Sequence, residues 1–341
     1  MVTLAERLRN RWWLIISNGT IQAGQHYAQL AAQAVKAQQL DAALDIYANW
    51  LDAEPAFFLN IKAAGPAAVT HIRNAASLAR KALYDKVHSI AASSTRIDKA
   101  LRYYFGLEPK QYEHRLQQPA FFYIPGLPAK PFYVIEEIPG LTELVSQLCS
   151  FQNDLLELAQ SSYQQYVDTS GPVPGTTEWQ QVKPKWLSTH LVRGDEKAIF
   201  TDYRLQQCQQ LLDHVAVAHC PPHAAEVFVS SLLPGAEIPP HYGISNVKLT
   251  VHLPLRVNTA ACLKAGDEQR CWSKQQNVII FDDSFLHSAV NHGAERRDVL
   301  IFDVWHPALT AEEKDAIRHF MAQHQLWSEK YAKLAALDAR L

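Results

Sequence analysis

Two histidines in the second half of the chain are the strongest candidates for chemistry. His241 stands in Pro240-His-Tyr-Gly243, and His287 ends the run Phe281-Asp-Asp-Ser-Phe-Leu-His287. Neutral imidazole suits Fe, Zn, Cu and Ni, so the residue type by itself does not select the metal. Iron sites that activate oxygen without haem use two histidines and one carboxylate on one face of the ion. If two strand ends converge, these histidines form a metal-binding pair.

The carboxylate of such an iron site often follows the first histidine by two residues, and here that position is Gly243. Three interpretations are open from the residues. Water completes the site of a two-histidine hydroxylase, a halide completes the site of a halogenase, or the site is inactive. His292 is an alternative second ligand, but Asn291-His292-Gly293 is typical of a turn. We therefore predict His241 and His287 as the metal ligands.

A second set of residues could hold a dicarboxylate co-substrate such as 2-oxoglutarate. Arg297 opens a predicted strand shortly after His287, and arginine can bind a carboxylate through two N–H donors. Ser230 could add a hydroxyl group beside it, and His252 could hydrogen-bond the carboxylate nearer the metal. Asp283 could orient a metal-bound water or a ligand imidazole, or it could simply cap a tight turn.

Two further cations belong to the same half of the chain. Lys248 and Arg193 could bind an acidic substrate if they face the mouth of a barrel. Their alternative role is that of ordinary solvated charges.

The elements around these residues are short strands. Turn residues separate six predicted strands: Trp186–Val192, Glu226–Leu233, Val247–Leu255, Ala260–Ala265, Asn277–Phe281 and Asp298–Val304. Many short strands without helices between them indicate an antiparallel sandwich or barrel. After the strands, Thr310 and Glu313 have the spacing of a capping box, which predicts a final helix.

The first third of the chain has a different texture. From Gln22 to about Leu107 it is rich in Ala, Gln and Leu, with apolar residues at helical spacing. Large and small residues fall at the offsets of a helical repeat of about 34 residues: Tyr27, Leu30, Ala31, Ala43, Tyr47 and Pro55. One such unit resembles a tetratricopeptide repeat, and an Ala-rich helical hairpin is the alternative. The prolines between Pro119 and Phe132 forbid a helix and predict a domain boundary.

Composition limits the partners and the compartment. The chain has 341 residues and a net charge of −2, so no basic surplus drives binding to nucleic acid. Five scattered cysteines, an odd number, favour a reducing compartment and argue against a thiolate zinc site. The apolar segment Trp12–Ile16 is too short to span a membrane. We therefore predict a cytoplasmic protein.

Three motifs together resemble the aspartyl/asparaginyl β-hydroxylase family of Fe(II)/2-oxoglutarate-dependent dioxygenases. They are Pro240-His-x-Gly-x-x-Asn246, Phe281-Asp-Asp-Ser-Phe-x-His287 and Asp303-Val-Trp-His-Pro307. Residues 121–132 also resemble the opening segment of the family's catalytic domain, and the resemblance spans roughly residues 118–309. It implies a double-stranded β-helix (jelly roll) over 118–309. Together with the helical, tetratricopeptide-like region over 1–117 and the C-terminal helix over 310–341, this predicts a multidomain α+β protein.

The resemblance implies a role for each candidate residue: His241 and His287 bind iron, Ser230, His252 and Arg297 hold 2-oxoglutarate, and Asp283 supports the water shell of the metal. Gly243 then takes the position from which the carboxylate is missing in animal-type members. The family often carries arginines where this chain has Lys248 and Thr250. That departure concerns recognition of the substrate carboxylate.

The predicted function is hydroxylation of the β-carbon of Asp or Asn in a protein or peptide, using Fe(II), 2-oxoglutarate and O₂ and releasing succinate and CO₂. One alternative is hydroxylation of a free amino acid, a small metabolite or a lipid acyl chain. Another is a non-catalytic adaptor whose N-terminal helices bind a protein partner.

Overall fold

The structure is a computed structural model that describes residues 23–59, 61–169, 175–194, 196–272 and 277–340. The apolar segment Trp12–Ile16 lies outside the described residues. Contacts divide the chain into two compact units. One comprises the described residues up to Ser89 and from Gln323 onward, and the other comprises the described residues of Ile90–Ala322. The domain boundaries after residues 117 and 309 stay predictions.

The described residues of the first unit are helical, as the apolar spacing predicts. Its helices are α1 (Ala23–Lys36), α2 (Leu40–Ala53), α3 (Pro55–Leu59) and α4 (Ile61–Val87). Tyr27, Ala31, Ala43 and Tyr47 are buried, in keeping with the alternation of large and small residues. They pack in a helical hairpin, and a tetratricopeptide array stays a prediction. Among the described residues, no helix is both long and apolar enough to cross a membrane.

The second unit combines helices with two antiparallel sheets. Its helices are α5 (Thr95–Tyr104), α6 (Leu141–Leu148), α7 (Gln152–Ser161), α8 (Tyr166–Thr169), α9 (Thr177–Val182) and α10 (Tyr203–Leu211). The last helix, α11 (Ala311–Ala335), begins in this unit. Thr310 and Glu313 exchange hydrogen bonds of 3.0 and 3.2 Å at its start, so the predicted capping box is confirmed.

The strands follow the chain as β1 (Phe132–Tyr133), β2 (Gln164–Gln165), β3 (Trp186–Arg193), β4 (Glu196–Lys197), β5 (Glu226–Leu232), β6 (Ala236–His241), β7 (Lys248–Arg256), β8 (Ala261–Ala265), β9 (Glu268–Cys271), β10 (Ile279–Phe281), β11 (His287–Asn291) and β12 (Arg297–Trp305). The larger sheet has the order β1-β10-β7-β12-β5-β3-β2, with β4 beside β3, and the smaller sheet has the order β6-β11-β8-β9. From β5 to β12 the chain passes repeatedly between the two sheets. This connectivity is that of a jelly roll.

Alternation along the strands separates the core from the site. In β7, Leu249, Val251 and Leu253 pack in the apolar cluster that includes residues of α6 and α7. Because successive side chains point to opposite faces, Lys248, Thr250 and His252 lie on the other face, which we call the inner face.

Two strands that carry candidate ligands were missed by the sequence prediction. β6 contains Pro239 and Pro240, which remove backbone donors and argue against a strand. It tolerates them because it lies at the edge of the smaller sheet. β11 consists of His-Ser-Ala-Val-Asn and lacks the β-branched and aromatic run that marks the predicted strands.

The cysteines correct one interpretation. Cys262 and Cys271 lie opposite one another in the β8–β9 pair and form a disulfide. Their spacing in the sequence did not suggest this pairing, because only the register of the two strands brings them together. The disulfide removes the cysteine argument for a reducing compartment. The cytoplasmic location stays a prediction.

Candidate active site

His241 and His287 face each other on two neighbouring strands. His241 ends β6, His287 begins β11, and the two are register partners in the antiparallel pair. Their ring centroids are 4.1 Å apart. The structure therefore brings together the two residues that were predicted as metal ligands.

Each imidazole is held in one tautomer by a backbone carbonyl. Nδ1 of His241 lies 2.8 Å from the carbonyl oxygen of Pro239, and Nδ1 of His287 lies 2.9 Å from that of Phe285. A carbonyl oxygen only accepts, so each Nδ1–H donates and each Nε2 keeps its lone pair. Burial, the main cause, lowers the pKa of His241 to about 3 and that of His287 to about 4. Both rings are thus neutral near pH 7, which is the ligand form.

The alternative ligand His292 has a different environment. Its side chain is 57% exposed and lies 3.9 Å from Glu237. Among the residues that the structure describes, no group of three or more His, Cys, Asp or Glu side chains could hold a metal ion. The donor set is therefore a pair of imidazoles, which fits a site completed by small ligands.

Gly243 and Asp283 share one small volume. A Cβ atom placed on Gly243 would lie 2.4 Å from Cγ of Asp283 and 2.5 Å from its Oδ2. The Gly243 amide also donates to the carbonyl oxygen of Asp283 at 2.7 Å. The Asp283 carboxylate thus occupies the space that a side chain at position 243 would need. Its Oδ1 is buried and has no hydrogen-bond partner among the described residues.

Arg297 is a buried cation whose guanidinium is incompletely paired. It is 1% exposed, and its Nε and Nη1 have no hydrogen-bond partner among the described residues. The neighbouring Asp298 instead accepts from Ser231 at 2.5 Å and from Arg296 at 3.0 Å. Burial lowers the pKa of Arg297 to about 10, so it remains charged near pH 7. A buried, charged donor of this kind fits an anionic ligand.

Ser230 and His252 lie on the strands beside that of Arg297. Ser230 is the register partner of Val299, two residues along β12 from Arg297, and its hydroxyl accepts from Trp186 at 3.1 Å. His252 is buried, which lowers its pKa well below the ordinary value, and the charge of Arg297 adds to this effect. Its Nδ1 has no partner among the described residues.

Sequence reasoning missed two residues that border this region. Trp272 stacks on His252 with the ring planes 2° apart and lies 5.5 Å below the guanidinium carbon of Arg297. Ser188 is the register partner of Ser230, and its buried hydroxyl has no hydrogen-bond partner among the described residues. Neither residue belongs to a motif, so only the tertiary structure identifies them.

Phe281 connects the two predicted sets of ligands. Its ring centroid lies 5.3 Å from that of His252 and 5.3 Å from that of His287. The imidazole pair and the residues around Arg297 therefore belong to one continuous site.

Lys248 and Arg193, the predicted substrate contacts, have different surroundings. The Lys248 ammonium is buried, donating to Asp303 at 2.8 Å and to Asp283 at 3.3 Å. Burial alone would lower its pKa, but the two carboxylates raise it above the ordinary value, so it is charged. Arg193 is exposed at the end of β3 and is the register partner of Glu226. The structure brings Lys248, but not Arg193, into contact with the candidate site.

Part of the second unit is similar in sequence to known proteins. Residues 144–307 match the family model described as aspartyl/asparaginyl beta-hydroxylase. Aspartate beta-hydroxylase domain-containing protein 2 of Xenopus tropicalis is 28% identical over 210 residues, covering 61% of this chain and 55% of that protein. The human protein of the same name is 27% identical over 210 residues, covering 61% and 56%. The chain thus matches little more than half the length of these relatives.

Two further likenesses are more limited. Aspartyl/asparaginyl beta-hydroxylase of Mus musculus is 34% identical over 93 residues, covering 27% of this chain and 12% of that protein. The solved structure of the Schizosaccharomyces pombe Cnp3 cupin domain has a TM-score of 0.23 and 12% identity, covering 35% of this chain and 64% of that one. This last likeness is too weak to bear on fold or function. Over residues 144–307, the chain is therefore similar to the aspartyl/asparaginyl beta-hydroxylase family.

Proposed function

We propose that this protein is an Fe(II)- and 2-oxoglutarate-dependent dioxygenase that hydroxylates the β-carbon of an Asp or Asn residue in a protein or peptide. The observation that carries the proposal is the combination of two neutral, facing imidazoles with a buried arginine, Arg297, whose Nε and Nη1 lack partners among the described residues. The first fits a metal ion, and the second fits a carboxylate of a co-substrate. Similarity to this family supports hydroxylation.

His241 and His287 would hold the metal through Nε2, because each Nδ1–H is engaged by a backbone carbonyl. Those two hydrogen bonds fix the ring orientations before any metal arrives. Asp283 would accept hydrogen bonds from water beside the metal through its unpartnered Oδ1. When bound, Fe(II) and 2-oxoglutarate would supply the oxidation of a C–H bond by O₂, coupled to conversion of 2-oxoglutarate into succinate and CO₂.

Arg297 and Ser230 would hold the distal carboxylate of 2-oxoglutarate, and His252 would donate to the carboxylate nearer the metal. Trp272 covers one side of this region, where it stacks on His252 and lies against Arg297. An aromatic wall excludes water and strengthens the interaction between the guanidinium and a carboxylate. The residues thus bind and orient the co-substrate.

The test is formation of succinate by protein loaded anaerobically with Fe(II) and 2-oxoglutarate and then exposed to O₂. We expect succinate from the wild type, and almost none from His287→Ala or Arg297→Ala. His292→Ala is the matched control for the first variant, because this histidine is largely exposed. Arg115→Ala is the control for the second, because Arg115 is an exposed arginine paired with Asp267. Succinate formation that survives both active-site substitutions would refute the proposal.

The other outcome to distinguish is a protein that binds Fe(II) and 2-oxoglutarate without turnover. Calorimetry with 2-oxoglutarate and Fe(II) measures binding independently of activity. If both bind and no succinate forms with any peptide, amino acid or acyl substrate, the non-catalytic adaptor is the better explanation.

A further inference from the structure

The environment of Lys248 bears on which side chain the site accepts. Among the described residues, Lys248 and Arg297 are the lysine and arginine side chains that are buried. Lys248 shares the inner face of β7 with His252, and Asp283, one of its two partners, lies against Gly243. A substrate side chain presented to the metal pair would therefore meet Lys248 together with its counter-ions.

Lys248 is already neutralised. Its ammonium donates to one oxygen each of Asp303 and Asp283, at 2.8 and 3.3 Å. Asp303 also accepts from the Thr250 hydroxyl at 3.0 Å, which holds that carboxylate in place. The side chains of Lys248, Asp283 and Asp303 are 9%, 16% and 7% exposed, so solvent screens the group only weakly.

The charges of these side chains, of Arg297 and of the two proposed ligands then balance. With Fe(II) and the 2-oxoglutarate dianion bound, those two cancel, and Arg297 and Lys248 are matched by Asp283 and Asp303. A neutral substrate side chain preserves this balance. A substrate carboxylate would add a buried negative charge next to two aspartates and would have no free cation to meet it.

Resting on the function proposed above, we propose that the residue hydroxylated is asparagine and that aspartate is rejected. An amide supplies N–H donors for Asp283 and Asp303 as well as an acceptor for the Lys248 ammonium, whereas a carboxylate supplies acceptors only. A bare acyl chain would leave the same three charged groups facing carbon. The charged side chains of Lys248, Asp283 and Asp303 thus determine the specificity for asparagine over aspartate.

The experiment uses three peptide pools with identical randomised flanks and Asn, Asp or Ala at the central position. Succinate formation is measured for each pool and without peptide, and mass spectrometry detects the gain of one oxygen. We expect the Asn pool to stimulate succinate formation about tenfold or more above the Asp pool, the size of effect that one buried charge produces. The Ala pool should give the peptide-free rate.

Asp303→Asn tests the electrostatic reason. It leaves Lys248 with one counter-ion, so the ratio of Asn to Asp stimulation should fall by about tenfold or more. Asp315→Asn, at an exposed position of α11, should leave the ratio unchanged. A thermal melt of each variant shows that it is folded, and the wild-type comparison decides the question even if Asp303→Asn does not fold.

The outcomes separate the two proposals. If the wild type forms no succinate with or without any peptide, the dioxygenase proposal itself fails. If succinate forms and the Asp pool stimulates as well as the Asn pool, only the inference about asparagine is overturned. If succinate forms and neither pool stimulates, the inference about asparagine and the proposed Asp/Asn substrate are both overturned, and the dioxygenase activity stands.

Discussion

Replacing Arg297 by methionine should stabilise the protein while it removes affinity for 2-oxoglutarate. Methionine has a similar length and carries no charge. Arg297 is 1% exposed, and two of its nitrogen atoms lack partners among the described residues. The folded protein therefore bears the cost of a buried charge that Asp298 offsets only in part and that a bound anion would offset further.

The size of that cost follows from the pKa. Burial lowers the pKa of Arg297 to about 10, and each pKa unit corresponds to about 1.4 kcal/mol, so the penalty is about 3 kcal/mol. At pH 7 the group is charged in both the folded and the unfolded protein, so the full penalty applies. Part of the gain is lost with the contact to Trp272, and we expect Arg297→Met to raise the free energy of unfolding by about 1–3 kcal/mol.

The affinity changes in the opposite direction. Removing one partner of a buried charge pair costs about 2–5 kcal/mol. The Kd for 2-oxoglutarate should therefore rise by roughly 30-fold or more. Calorimetry measures the affinity, and thermal melts without ligand measure stability. For a unit of this size, about 1 kcal/mol raises Tm by roughly 2–4 °C.

Arg115→Met, at an exposed position, is the control and should change neither quantity appreciably. A lower Tm for Arg297→Met without ligand would refute the argument that the guanidinium is an unmatched buried charge. An unchanged Kd would refute its assignment to the co-substrate.

Three further predictions concern the site and its support. Gly243→Ala places a Cβ 2.4 Å from Cγ of Asp283, so we expect about 1–3 kcal/mol of destabilisation and weaker Fe(II) binding, whereas Gly175→Ala, which meets nothing within 4 Å, should have neither effect. Trp272→Ala should weaken binding of 2-oxoglutarate in calorimetry, because it exposes the anion region to water, while Trp272→Phe should retain most of the affinity. Glu313→Gln should cost about 3 kcal/mol at pH 7 in denaturant unfolding: burial acts to raise the Glu313 pKa, but hydrogen bonds from an arginine hold it below the ordinary 4.5. The stabilisation by ionised Glu313 is therefore fully present above pH 4.5. The difference in free energy of unfolding between wild type and Glu313→Gln should shrink as the pH falls below that value. A difference independent of pH would contradict the ion pair.

Most of the larger sheet could be predicted from local sequence. The strands β3, β5, β7 and β12 lie within one or two residues of their predicted ranges. Each is a run of β-branched and aliphatic residues with a buried face. These residue types favour a strand regardless of which strand lies beside it. The capping box at Thr310 was predictable for the same reason, because its donors and acceptors are three residues apart.

The histidine-bearing strands were not predictable in this way. The two prolines of β6 oppose a strand locally, and only its place at a sheet edge permits one. The motifs identified His241 and His287, but their orientation depends on the β6–β11 register, which no local pattern specifies.

The sequence by itself determined the residue types of the site, the helical character of the first unit and most of the larger sheet of the second. Tertiary structure decided what those residues do to one another. It brought two aspartates to Lys248, filled the space at Gly243 with the Asp283 carboxylate and joined Cys262 to Cys271. It also left two nitrogen atoms of Arg297 without partners among the described residues. Secondary structure follows from preferences between near neighbours, whereas charge balance and packing in the site arise between strands far apart in the chain.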